Sequence, residues 1–85
     1  MDDYVNPYKA YVSVLVEYSP EGAMRPFSFV WEDGQRYFID KILDVRPAAS
    51  LKAGGAGLRY TCMVKNKQTY LFLEDDRWFM ERKGS

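Results

Sequence analysis

Asp33-Gly34 is the dipeptide that most restricts the fold of this chain. It separates two runs rich in β-branched and aromatic residues, Phe27 to Glu32 and Gln35 to Val45. Asp-Gly in that setting is the strongest short-range hairpin signal, because a type I′ turn needs φ > 0 at both central positions. With a two-residue loop, Glu32 faces Gln35, Trp31 faces Arg36, Val30 faces Tyr37 and Phe29 faces Phe38. Phe29 and Phe38 then form an aromatic cross-strand pair, and Arg36 can stack on Trp31. Asp40-Lys41 interrupts the alternation. A bulge there would let the long strand bend, as a small barrel requires.

The remainder reads the same way. A first strand is expected over Ala10–Tyr18, with Val12, Val14, Val16 and Tyr18 on one face. Ser19-Pro20-Glu21-Gly22 breaks it. Pro47 ends the long strand, and residues 48–57 are irregular, with room for one helical turn over Ala48–Lys52. A meander follows: Leu58–Val64, a turn at Lys65-Asn66, Gln68–Glu74, a turn at Asp75-Asp76, and Arg77–Glu81. A two-residue second turn sets Leu73 opposite Trp78 and Leu71 opposite Met80. Helical periodicity is weak throughout. The expectation is an all-β domain, a small and strongly bent antiparallel meander or barrel, SH3-like or OB-like, of about six strands.

The 85 residues suffice for a single domain, read as a β-domain over 10–82 behind an N-terminal segment 1–9. One cysteine allows no internal disulfide, so packing alone must build the core. Two Trp, seven Tyr and five Phe are the compensation, since each ring buries a large area. Twelve basic and twelve acidic residues cancel, which argues against a polybasic arm or an acidic tail. No apolar run reaches the roughly 18 residues of a membrane span. Asp2, Asp3 and Lys9 precede any apolar stretch, so no signal peptide is expected. With a lone cysteine, the expected location is a reducing compartment, the cytoplasm.

The segment Arg25-Pro26-Phe27-Ser28-Phe29-Val30-Trp31-Glu32-Asp33-Gly34, with Tyr37 and Leu43-Asp44 after it, resembles a family of small uncharacterised bacterial all-β proteins. So does the closing Arg77-Trp78-Phe79-Met80-Glu81. The likeness runs over residues 25–82. Its motifs are hairpin and core residues, so it implies a fold and no established activity. Loosely similar proteins are encoded near translesion DNA polymerases, a pointer towards nucleic acid.

Chemistry-bearing patterns are sparse. Histidine, the commonest general base and metal ligand, is absent. Cys62 has no base to activate it and shares its strand face with Leu58, Tyr60 and Val64, which reads as a buried small hydrophobe. The carboxylate pairs Asp2-Asp3, Glu32-Asp33 and Asp75-Asp76 sit at the terminus or in turns, where Asp bonds its own backbone. Asp40 and Asp44 share a face only without a bulge between them. Gly54-Gly55-Ala56-Gly57 lacks the Gly-Lys-Ser/Thr of a phosphate loop and precedes a strand, so it reads as a tight or flexible loop. No catalytic residue, metal or cofactor is expected, and the protein reads as a non-enzyme.

Charge segregation is the most informative signal. No acidic residue stands between Asp44 and Glu74, while Arg46, Lys52, Arg59, Lys65 and Lys67 all do. With Tyr70 and Phe72 on the neighbouring strand, these bases form the candidate binding surface. Cations interleaved with aromatics suit single-stranded nucleic acid; the alternative is a solvated basic face set against the acidic half of the domain. Tyr70, Phe72 and Phe79 also form a second apolar face behind Leu71, Leu73, Trp78 and Met80. Either the N-terminal Tyr4, Val5 and Tyr8 cover it, or a partner does, which includes a second copy. The reading is a small β-module that binds a macromolecular partner, or alternatively a weak single-stranded nucleic-acid binder using segment 46–67. No membrane partner is expected.

Overall fold

Two of the expected strands change sheet partway along, and this divides the fold. The computed structural model describes residues 8–50 and 57–82. Eight strands form there: β1 (Lys9–Tyr11), β2 (Ser13–Tyr18), β3 (Met24–Val30), β4 (Arg36–Phe38), β5 (Lys41–Pro47), β6 (Leu58–Val64), β7 (Lys67–Glu74) and β8 (Arg77–Glu81). The first expected strand splits at Val12. β1 pairs with β8, with Tyr11 opposite Phe79, and β2 pairs with β3. The long third strand splits at Ile39-Asp40. The Ile39 N–H donates to the Phe27 carbonyl at 3.0 Å, and the next N–H, of Asp40, donates to Met63 at 2.9 Å. Consecutive residues thus belong to different sheets, so the interruption read at Asp40-Lys41 is a corner.

The result is an all-β fold of two antiparallel sheets, one in the order β1-β8-β7-β6-β5 and one in the order β2-β3-β4. Strands that pass between sheets at corners are how small packed sheets join. Among the described residues, no helix is long and apolar enough to cross a membrane.

The hairpin at Asp33-Gly34 forms, with a different register from that expected. Phe29 pairs with Tyr37 and Val30 with Arg36. The loop has three residues, Glu32, Asp33 and Gly34, closed by Gly34 N–H to Trp31 O and Trp31 N–H to Gln35 O, both 2.9 Å. Gly34 alone takes a positive φ, +82°, as in a type I turn followed by a left-handed glycine. Asp33 avoids that conformation, and its Oδ1 accepts the Gln35 N–H at 2.9 Å. Phe29 therefore stacks on Tyr37, with ring centroids 5.5 Å apart, and Phe27 meets Phe38 edge-on at 5.7 Å. Arg36 turns away from Trp31 and donates to Ser28 Oγ at 2.8 Å. The later turns follow expectation. Lys65 and Asn66 both take the left-handed conformation, and Leu73 faces Trp78.

The core lies between the sheets. Tyr60, Cys62 and Val64 of β6, Leu71 of β7 and Met80 of β8 meet Phe29 and Ile39 there. Val12 and Val14 pack against this cluster. Val16 and Tyr18 do not, contrary to the simple alternation, because the register shifts between Leu15 and Val16. That shift leaves Tyr18 68% exposed.

The second apolar face is covered. Phe72 and Phe79 stack at 5.0 Å on the outer side of the five-stranded sheet and are only 3% and 2% exposed. Tyr11 meets Phe79 edge-on, and the Arg77 guanidinium lies 3.6 Å from the Tyr11 ring. Lys9 Nζ stands 4.5 Å from the Phe79 centroid and pairs with Glu74 Oε1 at 3.0 Å. Burial lowers the Lys9 pKa, and the Glu74 and Tyr11 contacts together more than reverse this, leaving it raised. Lys9 and Tyr11 of β1 thus supply part of the cover, in place of the Tyr4, Val5 and Tyr8 expected to do so. Tyr4 and Val5 lie outside the described residues, and Tyr8 is exposed.

Candidate binding cleft

Where the two sheets part, an open cleft of about 880 Å³ remains between the β3–β4 and β6–β7 hairpins. Clefts of a few hundred to about 1,000 Å³ are the usual size of binding sites. Phe29, Trp31 and Tyr37 line one wall, because the three-residue loop puts Trp31 and Tyr37 on the same side of their hairpin. Val64, Thr69 and Met80 line the opposite wall, and Lys65 and Lys67 form its rim.

Specific contacts hold the walls. The Tyr37 hydroxyl donates to Asp33 Oδ2 at 2.7 Å, and Lys65 Nζ lies 5.2 Å from the Tyr37 ring. The Gln35 N–H, then the Tyr37 hydroxyl, hold the Asp33 carboxyl below its ordinary range, and the same hydroxyl contact raises Tyr37. Arg82, just beyond β8, grips Glu32 with both arms, Nε to Oε1 at 2.9 Å and Nη2 to Oε2 at 2.6 Å. That fork ties the hairpin loop of the small sheet to the end of the large one, and its hydrogen bonds lower the Glu32 pKa. Asp40 Oδ2 accepts the Lys65 N–H at 3.2 Å, fixing the β6–β7 turn. Among the described residues, neither Lys65 nor Lys67 joins an ion pair.

The structure brings Lys65 and Lys67 together and sets the other expected bases apart. Arg46 is exposed on β5 and bonded to Asp44 at 2.7 and 3.3 Å. Arg59 lies opposite Phe72, its guanidinium 4.7 Å from the Tyr70 ring and its Nε buried without a hydrogen-bond partner among the described residues. Phe72 is sealed by Phe79, so no base can stack on it. Tyr70 is half-buried. Lys52 lies outside the described residues. Arg59 and Lys65 stand at opposite ends of β6, about 20 Å apart at a strand's rise per residue. Lys65 leaves the strand alternation because it is a turn residue with φ +50°.

Sequence reasoning missed Trp31, Tyr37, Glu32 and Arg82 as a group. A loop of three residues would have put Trp31 and Tyr37 on one side, but Arg82 carried no signal, since its partner lies 50 residues away.

Cys62 is fully buried, its Sγ 3.7 Å from the Tyr60 carbonyl, and burial pushes its thiol up to about 11. The bulge between Ile42 and Asp44 separates Asp40 from Asp44. Gly57 packs its backbone against Leu73, whereas Gly54, Gly55 and Ala56, like Asp2 and Asp3, lie outside the described residues. Among the described residues, no group of three or more Cys, Asp or Glu could hold a metal ion. No family model, curated protein or solved structure matches this chain.

Proposed function

We propose that the protein is a non-enzymatic, SH3-like β-module of the cytoplasm that binds an extended segment of a protein partner in the cleft between its sheets. The observation that carries this is the pair of partly buried rings Trp31 and Tyr37, with the buried Phe29 behind them, facing a rim of two lysines outside any described ion pair. Aromatic walls receive extended peptides with little loss of side-chain freedom, and the lysines favour acidic residues in the guest. The Arg82–Glu32 fork keeps the walls in place before binding, which reduces the ordering cost. The buried, base-free Cys62 supports the non-enzymatic side of the reading.

A second reading uses the same wall. Lys65 and Lys67 beside Tyr37 and Trp31 supply the cation and ring pairing that single-stranded nucleic acid requires. Salt separates the two, because phosphate contacts release counterions. Selection from a displayed library of random dodecapeptides should yield acidic, aromatic-containing sequences. Their affinity should fall about tenfold or more for Trp31→Ala and several-fold for Lys65→Ser/Lys67→Ser, with a shallow salt dependence. A labelled oligonucleotide that binds tightly at low salt with a steep slope would favour the second reading. If neither probe binds, the cleft has no such role.

A further inference from the structure

A second surface, which shares no residue with the cleft's lining and is independent of its reading, follows from β5. This strand is one edge of the five-stranded sheet, and among the described residues no strand pairs with its free side. With seven residues it is the longest edge strand, against six for β2 and three each for β1 and β4. The bond from Ala48 N–H to Gly57 O sets the phase of its ladder. Antiparallel partners exchange bonds at every second residue, so Arg46 and Asp44, opposite Arg59 and Thr61, turn their backbone groups towards β6. Val45 between them turns its N–H and C=O outward. Leu43 and Val45 are 48% and 46% exposed. An edge with outward backbone groups and exposed apolar side chains is a template for another strand.

The charges select that strand. When β5 is turned about a two-fold axis at Val45, Asp44 falls opposite Arg46 of a second copy, Arg46 opposite its Asp44, and Leu43 opposite its Pro47. Asp44 and Arg46 already lie in one row, bonded within each chain at 2.7 Å. A slide of two residues one way opposes Asp44 to Asp44, and the other way Arg46 to Arg46. A slide of one residue turns the side chains to opposite faces. Within Leu43–Pro47, on the near side of the bulge after Ile42, only the register centred on Val45 pairs opposite charges on one face. We infer that two copies of this chain pair antiparallel along β5, with the two-fold axis through Val45, and join their large sheets into one. The bulge after Ile42 and the missing N–H of Pro47 confine the pairing to Leu43–Pro47. So short an interface makes the dimer reversible.

Sedimentation velocity of the full chain over a wide concentration range tests this. The mass should rise from 9.9 kDa towards twice that value. Asp44→Arg or Arg46→Asp alone should weaken association about tenfold, and the two together should restore it. Val45→Lys should abolish it. If a variant fails to fold, amide exchange of wild-type Val45 decides instead, and it should slow as concentration rises. A chain that stays monomeric, a dimer indifferent to all these changes, or a Val45 amide unprotected at every concentration overturns the inference.

Discussion

Replacing Gly57 by Ala adds one methyl group where two backbone demands meet. Gly57 has φ +148°, a conformation essentially restricted to glycine. A Cβ there would also overlap the Leu73 carbonyl oxygen and stand 3.0 Å from its carbonyl carbon and 3.2 Å from Glu74 Cα. These are backbone atoms of β7, so no rotamer change relieves the overlap, and the start of β6 must move. Gly34 provides the control. It has φ +82° and nothing within 4 Å of the Cβ position. Gly34→Ala should therefore report conformational strain alone, about 1 kcal/mol. Gly57→Ala should cost roughly 3–5 kcal/mol, adding the displaced strand to the strain. A small domain holds about 5–10 kcal/mol in total, so this is a large share. Urea unfolding followed by tryptophan fluorescence measures both. If Gly57→Ala lies within about 0.5 kcal/mol of Gly34→Ala, the close approach to Leu73 does not matter energetically and the reasoning fails.

Cys62 should resist alkylation in the folded protein and react on unfolding. Its folded thiol is raised to about 11 from an ordinary 9.0, so the unfolded chain loses that proton first. Stability should accordingly fall by about 2–3 kcal/mol between those pH values, and Cys62→Ala should flatten the slope; an unchanged slope would show that Cys62 is not its source. Glu32 titrates below its ordinary 4.5 because Arg82 bonds it, so the fork stabilises above that pH and is lost as the folded carboxyl protonates on acidification. Arg82→Ala should speed amide exchange in the β3–β4 hairpin at neutral pH and remove that acid dependence, whereas unaltered exchange would mean the fork does not brace the hairpin. Lys9→Met should keep the packing over Phe79 but lose the Glu74 pair, a modest loss of at most about 1 kcal/mol. A much larger loss would assign the cover of Phe79 to charge instead of contact.

The local elements were legible because alternation and turn chemistry act over a few residues. The β6–β7–β8 meander, the buried Cys62 face and the Leu73–Trp78 pairing all follow from that. Two long strands were read as continuous, since a strand that turns a corner keeps much the same residue types on both sides of it. Val12 and Ile39-Asp40 carry no glycine or proline to mark the change of sheet. The hairpin register went astray because Asp33 satisfies its loop through its side chain, which leaves Gly34 alone with a positive φ. The same slip concealed the cleft, since it put Trp31 opposite Arg36. The basic interval is real in sequence, yet Arg59 is spent on Tyr70 and Arg46 on Asp44, leaving Lys65 and Lys67 at the cleft.

The central claim, that the cleft between the sheets is where the partner binds, is tested most directly by nuclear magnetic resonance. A peptide from the selection is titrated into the isotopically labelled full chain, and backbone and tryptophan indole shifts are followed. The account predicts saturable changes at Trp31, Tyr37, Lys65 to Thr69 and Met80 to Arg82, with the outer face around Arg59, Tyr70 and Phe72 unmoved. Changes concentrated on that outer face, with the cleft silent, would contradict it.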